Sequence, residues 1–222
     1  MKFGPNTITD GLILALDAAN PRSYPGSGTA WKDIVSNNDG TLTNGPTFSN
    51  DKGGSIVLDG VNDYVNLSFA NPLSETISVW ASSTTSTWNI NGWISSARRQ
   101  NGHIIHPNPS TKDILYYVLS SAVSYTLIGS FTLDDITIPH MYTMTTNGSN
   151  LHKGYVDGVL VTTSTTSITR TPSPTNQPWT LGRDDGLSRY GNGSVYNCLR
   201  YNKALSLEEI QQNYNATKNR FK

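Results

Sequence analysis

Charge is scarce in this chain. Lys, Arg, Asp and Glu make up 14% of its 222 residues, against roughly 25% in an ordinary globular domain. The 16 basic and 16 acidic side chains cancel to a net charge of zero. That removes the electrostatic basis for non-specific nucleic-acid binding. Glutamate is scarcest of all, with Glu75, Glu208 and Glu209 only. The single cysteine, Cys198, excludes an intramolecular disulfide framework and a cysteine zinc cluster. No apolar run reaches the roughly 18 residues of a membrane-spanning helix. Met1 to Pro5 has no apolar stretch after Lys2, so no secretory signal is expected.

Ser, Thr and Asn, which make up about a third of the chain, supply the polarity instead. With Gly 19 and Pro 11, this is the composition of strands joined by many turns. Low charge does not mean disorder here, because 36% of residues are apolar and Trp 5, Tyr 11 and Phe 5 can fill a core.

Residues 11–17 form a short apolar run bounded by turn formers, which reads as a strand buried on both faces. A Pro- and Gly-rich loop follows at residues 20–28. Residues 55–67 hold two strands around a tight Asp59-Gly60 turn. Alternation continues at 75–81, 93–96, 114–119, 125–131 and 140–146. Residues 154–161 spell a hairpin, because Asp157-Gly158 supplies the positive φ angles of a type I′ turn. Strands thus recur roughly every 8–15 residues, the spacing of a sandwich.

One helix is predicted near the C-terminus. Ser206 and Glu209 form a capping box, and Leu205 with Ile210 a hydrophobic staple. Leu207, Ile210 and Tyr214 are expected to share its docking face. The expected organisation is an N-terminal arm over residues 1–10 and one domain over 11–222. The fold class is all-β, a two-sheet antiparallel jelly-roll sandwich with a short C-terminal helix.

Ser55-Ile56-Val57-Leu58-Asp59-Gly60-Val61-Asn62-Asp63-Tyr64-Val65 resembles the signature of laminin G-like domains, part of the concanavalin A-like lectin/glucanase group. Tyr155 to Gly158 resembles that family's second hairpin. Leu181 to Arg183 and Gly193 to Ile210 resemble its closing strand and helix. The opening block is more particular. Leu16 to Gly28, then Trp31 and Gly40 to Phe48, is similar to a subgroup common in virion proteins of tailed phages, cyanophages among them. The resemblance implies a concanavalin A-like jelly roll with a structural or adhesive role on a virus particle.

Many relatives carry an acidic residue shortly after the Gly-Ser of the closing strand, where it helps hold a structural calcium. Tyr196 and Asn197 stand there instead. Calcium takes about six to eight oxygens, usually with several carboxylates, and Asp17 is the remote carboxylate on offer. No cofactor and no metal site are therefore expected, and a structural calcium is not favoured.

A retaining glycosidase needs two carboxyl groups about 5–5.5 Å apart. Glu208 and Glu209 sit in the first turn of the predicted helix, where they favour its dipole. Asp134 and Asp135 are adjacent and would face opposite ways on a strand. No strand shows acidic alternation, so catalysis is not expected. His103 and His106 lack metal-ligand companions and read as exposed loop or strand residues. Cys198 reads as a small buried hydrophobe.

The candidate ligand-binding residues are aromatics beside amides. Trp88, Asn89, Asn91 and Trp93 form one cluster, in which a ring face could stack on a sugar while Asn meets its hydroxyls. Arg183, Asp184, Asp185 and Tyr190 form a second. The bland alternative has Trp93 in the core and the Arg and Asp residues in loop salt bridges. The leading expectation is a non-enzymatic phage virion protein, decorating the capsid or associated with the tail and located in the virion. Its partners would be other virion proteins, with no nucleic acid and no membrane span, and a homo-oligomer is left open. The alternative is a carbohydrate-binding adhesion module for host surface glycans, and a glycoside hydrolase is the weakest of the three.

Overall fold

A computed structural model describes residues 6–90, 93–97, 102–121, 124–170, 177–184 and 187–222. The first half of the chain supplies β1 (Leu12–Asp17), β2 (Ala30–Trp31), β3 (Gly40–Thr43), β4 (Thr47–Ser49), β5 (Ser55–Asp59), β6 (Tyr64–Phe69), β7 (Glu75–Ser83) and β8 (Ser95–Ser96). The second half supplies β9 (His103–Pro107), β10 (Asp113–Leu119), β11 (Tyr125–Thr132), β12 (His140–Thr146), β13 (His152–Val156), β14 (Val159–Ser164), β15 (Gln177–Leu181) and β16 (Asn192–Tyr201). One helix, α1 (Leu207–Thr217), closes the fold.

These strands form two eight-stranded sheets, and every pairing is antiparallel. The first sheet runs β14-β13-β12-β7-β16-β5-β4, with β1 also paired to β16. The second runs β11-β10-β9-β8-β15-β6-β3-β2. The expected two-sheet sandwich with one short C-terminal helix is what the structure shows.

Alternation decides which side chains meet between the sheets. Ile77, Val79 and Ala81 of β7 face Val65 and Leu67 of β6, Trp179 of β15 and Tyr116 of β10 within one core cluster. The Asp157-Gly158 hairpin forms as the sequence predicts. Val156 pairs with Val159, and the two turn residues have φ of 52° and 78°. The Asp59-Gly60 turn behaves differently. β5 pairs with β16 and β4 in the first sheet, and β6 with β15 and β3 in the second. The turn is therefore a corner between sheets. Asp59 Oδ1 holds it by accepting from the backbone N–H of Val61 at 2.8 Å and Asn62 at 3.3 Å.

The capping box is present. Ser206 Oγ accepts from Glu209 N at 3.2 Å, and Ser206 N donates to Glu209 Oε2 at 2.8 Å. Leu205 and Ile210 are buried together on the outer face of the first sheet. The docking face differs from expectation at one position. Leu207 is 38% exposed, whereas Asn213 is 1% exposed. Asn213 earns burial through hydrogen bonds: Nδ2 donates to the Tyr201 hydroxyl at 3.0 Å, and Oδ1 accepts from Ile8 N at 2.8 Å. Ile8 therefore lies against α1. Trp80, on the same outer face, stacks on Tyr214 at 5.7 Å and on Phe221 at 4.1 Å. The helix and the turn after it thus cover this face. Among the described residues, no helix is long and apolar enough to cross a membrane.

Candidate functional site

Among the described residues, no helix lies over the outer face of the second sheet. Its residues follow from register. Val65, Leu67, Trp179, Leu181, Ile105 and Tyr116 belong to the core, so the positions between them point outward. One cross-strand row runs Thr41, Asn66, Thr180, Ser96 and continues through Ile104 to Tyr117. It passes from small polar side chains to an aromatic one. Tyr117 packs edge-on against His106 at 5.5 Å and Tyr125 at 5.8 Å, and Tyr125 is exposed.

A loop beginning at Arg183 folds over the middle of this row. Thr180 Oγ1 donates to Arg183 O at 2.7 Å, and Ser96 Oγ donates to Asp184 Oδ1 at 3.2 Å. Asp184 is buried, and Arg189 Nη1 reaches its Oδ2 at 3.4 Å. Among the described residues, two flanks remain open, one beside Tyr64 and Asn66, the other around Tyr117 and Tyr125.

Arg183 and Tyr190 face each other across an isolated β-bridge. The Arg183 guanidinium lies over the Tyr64 ring at 5.0 Å and near the Tyr190 ring at 5.6 Å. Asn89 joins the two candidate clusters. Its Nδ2 donates to Tyr190 O at 3.2 Å, and its Oδ1 accepts from Asn192 N at 3.2 Å. The two clusters lie far apart in sequence, and the structure brings Asn89, Arg183, Asp184 and Tyr190 to one rim. Asn91 and Asp185 lie outside the described residues.

Trp88 and Trp93 require a correction. They are 1% and 0% exposed, packed edge-to-face at 5.7 Å within the core, so neither ring is available to stack on a sugar. Core burial, weighed in the sequence for Trp93, holds for both. Gly191 admits Trp93, since a Cβ there would lie 2.2 Å from its Cδ2. The salt-bridge alternative for the second cluster is realised in Asp184 and Arg189.

A second feature was illegible in the sequence. Glu75, Arg170, Arg200 and His103 meet between the sheets, each with a buried side chain. Arg200 donates to Glu75 Oε2 from Nη2 at 2.7 Å and from Nε at 3.1 Å, and Arg170 Nη2 donates to Oε1 at 3.0 Å. Burial opposes the charge on Glu75, but Arg200 and Arg170 outweigh it and hold its carboxyl at about 2. Burial drives His103 the other way, down to about 3. The neutral ring shares a hydrogen bond between Nε2 and Ser95 Oγ, 2.7 Å away. His103 is therefore a core residue, not the exposed histidine expected. The cluster is closed to solvent and ties the first sheet to the second. Burial also pushes the Cys198 thiol up.

Among the described residues, no group of three or more His, Cys, Asp or Glu could hold a metal ion. Asp17, the carboxylate considered for calcium, accepts from Arg220 Nη1 at 2.6 Å. A guanidinium thus supplies positive charge at that position. A shallow cavity of about 180 Å³ lies on the first-sheet side, lined in part by Trp80, His140, Asp157, Tyr214 and Phe221. His140 uses both ring nitrogens there, against Asp157 Oδ2 at 2.6 Å and Asp135 O at 2.7 Å, which makes it a structural ion pair.

Residues 59–211 match the family Laminin_G_3, described as the concanavalin A-like lectin/glucanases superfamily. A search of curated proteins finds no match. Among solved structures, the chain is similar to domain 4 of the GH43 extracellular arabinanase AbnA from Geobacillus stearothermophilus, determined in complex with arabinotriose. The TM-score is 0.73 at 14% identity, covering 91% of this chain and 98% of that one. The botulinum neurotoxin serotype D binding domain gives 0.69 at 17% identity, over 94% of this chain and 52% of that one. Trypanosoma rangeli sialidase, in complex with the inhibitor DANA, gives 0.67 at 16% identity, over 94% and 33%. At these identities the likeness is one of fold.

Proposed function

For a chain that belongs to the concanavalin A-like lectin/glucanase superfamily, we propose a non-enzymatic carbohydrate-binding role on the outer face of the second sheet. The observation that carries this reading is the contrast between the two outer faces. Helix α1 and the aromatic turn after it cover the first. The second presents amide, hydroxyl and aromatic side chains on two open flanks. That mixture suits sugars, which offer hydroxyls at the ring edge and C–H groups on its faces. The arabinotriose held by the similar arabinanase domain lends support by analogy of fold.

The acidic residues of that face do not suit catalysis. The eight strands of the second sheet contain one, Asp113, at the first position of β10. Asp184 beside them is buried and held by Ser96 and Arg189. A glycoside hydrolase needs two carboxyl groups flanking the scissile bond.

Affinity electrophoresis through polysaccharide gels tests the proposal. Wild-type protein is expected to be retarded by at least one glycan. Asn66→Ala and Tyr117→Ala are each expected to weaken retention by about tenfold, the loss of roughly 1.4 kcal/mol, without lowering the melting temperature. Absence of retention in every gel and on a glycan array would overturn it.

A second reading places the domain on a tailed-phage particle, as a capsid decoration or tail-associated protein with other virion proteins as partners. The likeness of Leu16–Gly28, Trp31 and Gly40–Phe48 to that subgroup motivates it. The two readings are compatible, since a particle-borne domain could also hold host glycans. Immunogold labelling of purified particles tests the placement, and unlabelled particles would refute it.

A further inference from the structure

We infer that Arg183 is a recognition fork for the oxyanion of an acidic sugar, so that the glycans taken by the second sheet carry carboxylate or sulfate groups. The inference rests on the carbohydrate-binding reading and narrows it. Its basis is how the guanidinium is held. Arg183 lies 5.0 Å from the Tyr64 ring centroid and 5.6 Å from that of Tyr190. The two rings are 6.3 Å apart and inclined at 40°. Nε donates to Leu187 O at 3.1 Å. The guanidinium is thus held by two aromatic rings beside its central carbon and by one hydrogen bond from Nε.

Among the described residues, its two terminal amino groups have no hydrogen-bond partner. Arg170 and Arg200 share Glu75, Arg189 reaches Asp184, and Arg220 reaches Asp17. Among the described residues, Arg183 has no such carboxylate; the nearest acid in sequence, Asp184, is turned inward to Ser96 and Arg189. A planar fork with fixed orientation matches a carboxylate or sulfate bidentately and loses little entropy on doing so. Around it stand groups suited to sugar hydroxyls. Asn66, two residues beyond Tyr64 on the same outward side of β6, is exposed, and Thr43 lies opposite Tyr64 across the β3–β6 ladder. The whole chain has net charge zero. A polyanion would therefore gain little from the protein's overall field, and its retention would depend on a local cation.

The test is affinity electrophoresis in polygalacturonate, in dextran sulfate, and in neutral dextran and galactan. The variants are Arg183→Ala, Arg183→Lys and Arg22→Ala, the last an exposed arginine in the turn after β1, with melting temperatures measured alongside. The expected result is retardation in an acidic gel that falls at least tenfold in Arg183→Ala. Arg183→Lys keeps the charge but not the fork and is expected to stay well below wild type, while Arg22→Ala binds as wild type. Retention by polygalacturonate assigns the carboxylate, and retention by dextran sulfate alone assigns the sulfate. Binding to neutral gels only would overturn the inference and leave the carbohydrate reading standing. Acidic-gel binding that survives Arg183→Ala, or falls equally in Arg22→Ala, would overturn it as well. No retention in any gel would remove both.

Discussion

Glu75 and Arg200 meet at 2.7 Å between the two sheets, and neither side chain has any solvent exposure. Glu75 opens β7 and Arg200 lies near the end of β16, so the pair sits at one end of the sandwich. The rings of Phe69 and Trp179 close over the guanidinium at 4.9 and 5.2 Å. Burying two charges costs several kcal/mol before they attract each other, and removing one partner exposes that cost in full.

Glu75→Gln is therefore expected to destabilise the fold by about 3–5 kcal/mol, because it leaves two arginines facing a neutral amide. The wild type should also be acid-sensitive. The Glu75 carboxyl is held at about 2 against an ordinary 4.5. A depressed acid contributes stability that is present above the unfolded value and lost as pH falls toward the folded one. Urea unfolding between about pH 5 and pH 2 should show that loss in wild type and a flatter profile in Glu75→Gln.

His140 should act in the opposite direction. Burial works against its proton, but Asp157 Oδ2 at 2.6 Å and Asp135 O outweigh burial and raise its pKa. Lys218 and Lys222 line the same cavity. A raised folded value gives stability that is complete below the unfolded pKa of about 6.5 and fades as pH rises through the folded one. The urea midpoint should fall on going from about pH 6 to pH 8.5. His140→Gln should abolish that slope.

Two buried indoles should respond differently to the same change. Trp179 Nε1 donates to Ser95 Oγ at 2.7 Å, and that hydroxyl also meets His103 Nε2 at 2.7 Å. Among the described residues, Trp93 Nε1 is buried with no hydrogen-bond partner. Trp→Phe at 179 loses volume and a buried hydrogen bond, a further loss of about 1–3 kcal/mol. At 93 it loses volume alone. Chemical denaturation of the two variants should rank Trp179→Phe as the less stable, and the reverse order would refute the assignment.

Gly191→Ala should disturb Trp93 directly. The added methyl would lie 2.2 Å from the Trp93 ring, and such overpacking costs about 1–3 kcal/mol. Near-ultraviolet circular dichroism should change, since Trp93 must shift against Trp88. An unchanged spectrum would mean that the loop before β16 moves instead.

Local signals were readable in the sequence because they act over a few residues. The Asp157-Gly158 hairpin, the Ser206 to Glu209 capping box and the alternation of β7 all specify their own geometry. Pairings between distant segments left no such mark. Glu75, His103, Arg170 and Arg200 share no motif, and only the meeting of β7, β9, β16 and the segment after β14 brings their side chains together. Trp88 sits outside any periodic run and Trp93 opens one of only four residues, so alternation could not assign them inward or outward. Asn213 looked like a surface residue because its two partners, Tyr201 and Ile8, come from opposite ends of the chain. Tyr64 was quoted within the family signature, yet its role under Arg183 depends on the corner that sends β6 into the second sheet.

The position of β16 has a consequence for biosynthesis. It pairs with β7, β5 and β1 at the heart of the first sheet, although it is made after all three. Until Tyr201 emerges, β7 and β5 have unsatisfied edges toward each other, and β1 has no ladder partner at all. The nascent chain must therefore hold a half-assembled sheet, with long-range closure still ahead of it, a topology that folds slowly and exposes strand edges meanwhile. A ribosome stalled before β16 would carry an aggregation-prone intermediate that only the synthesis of β16 itself could rescue.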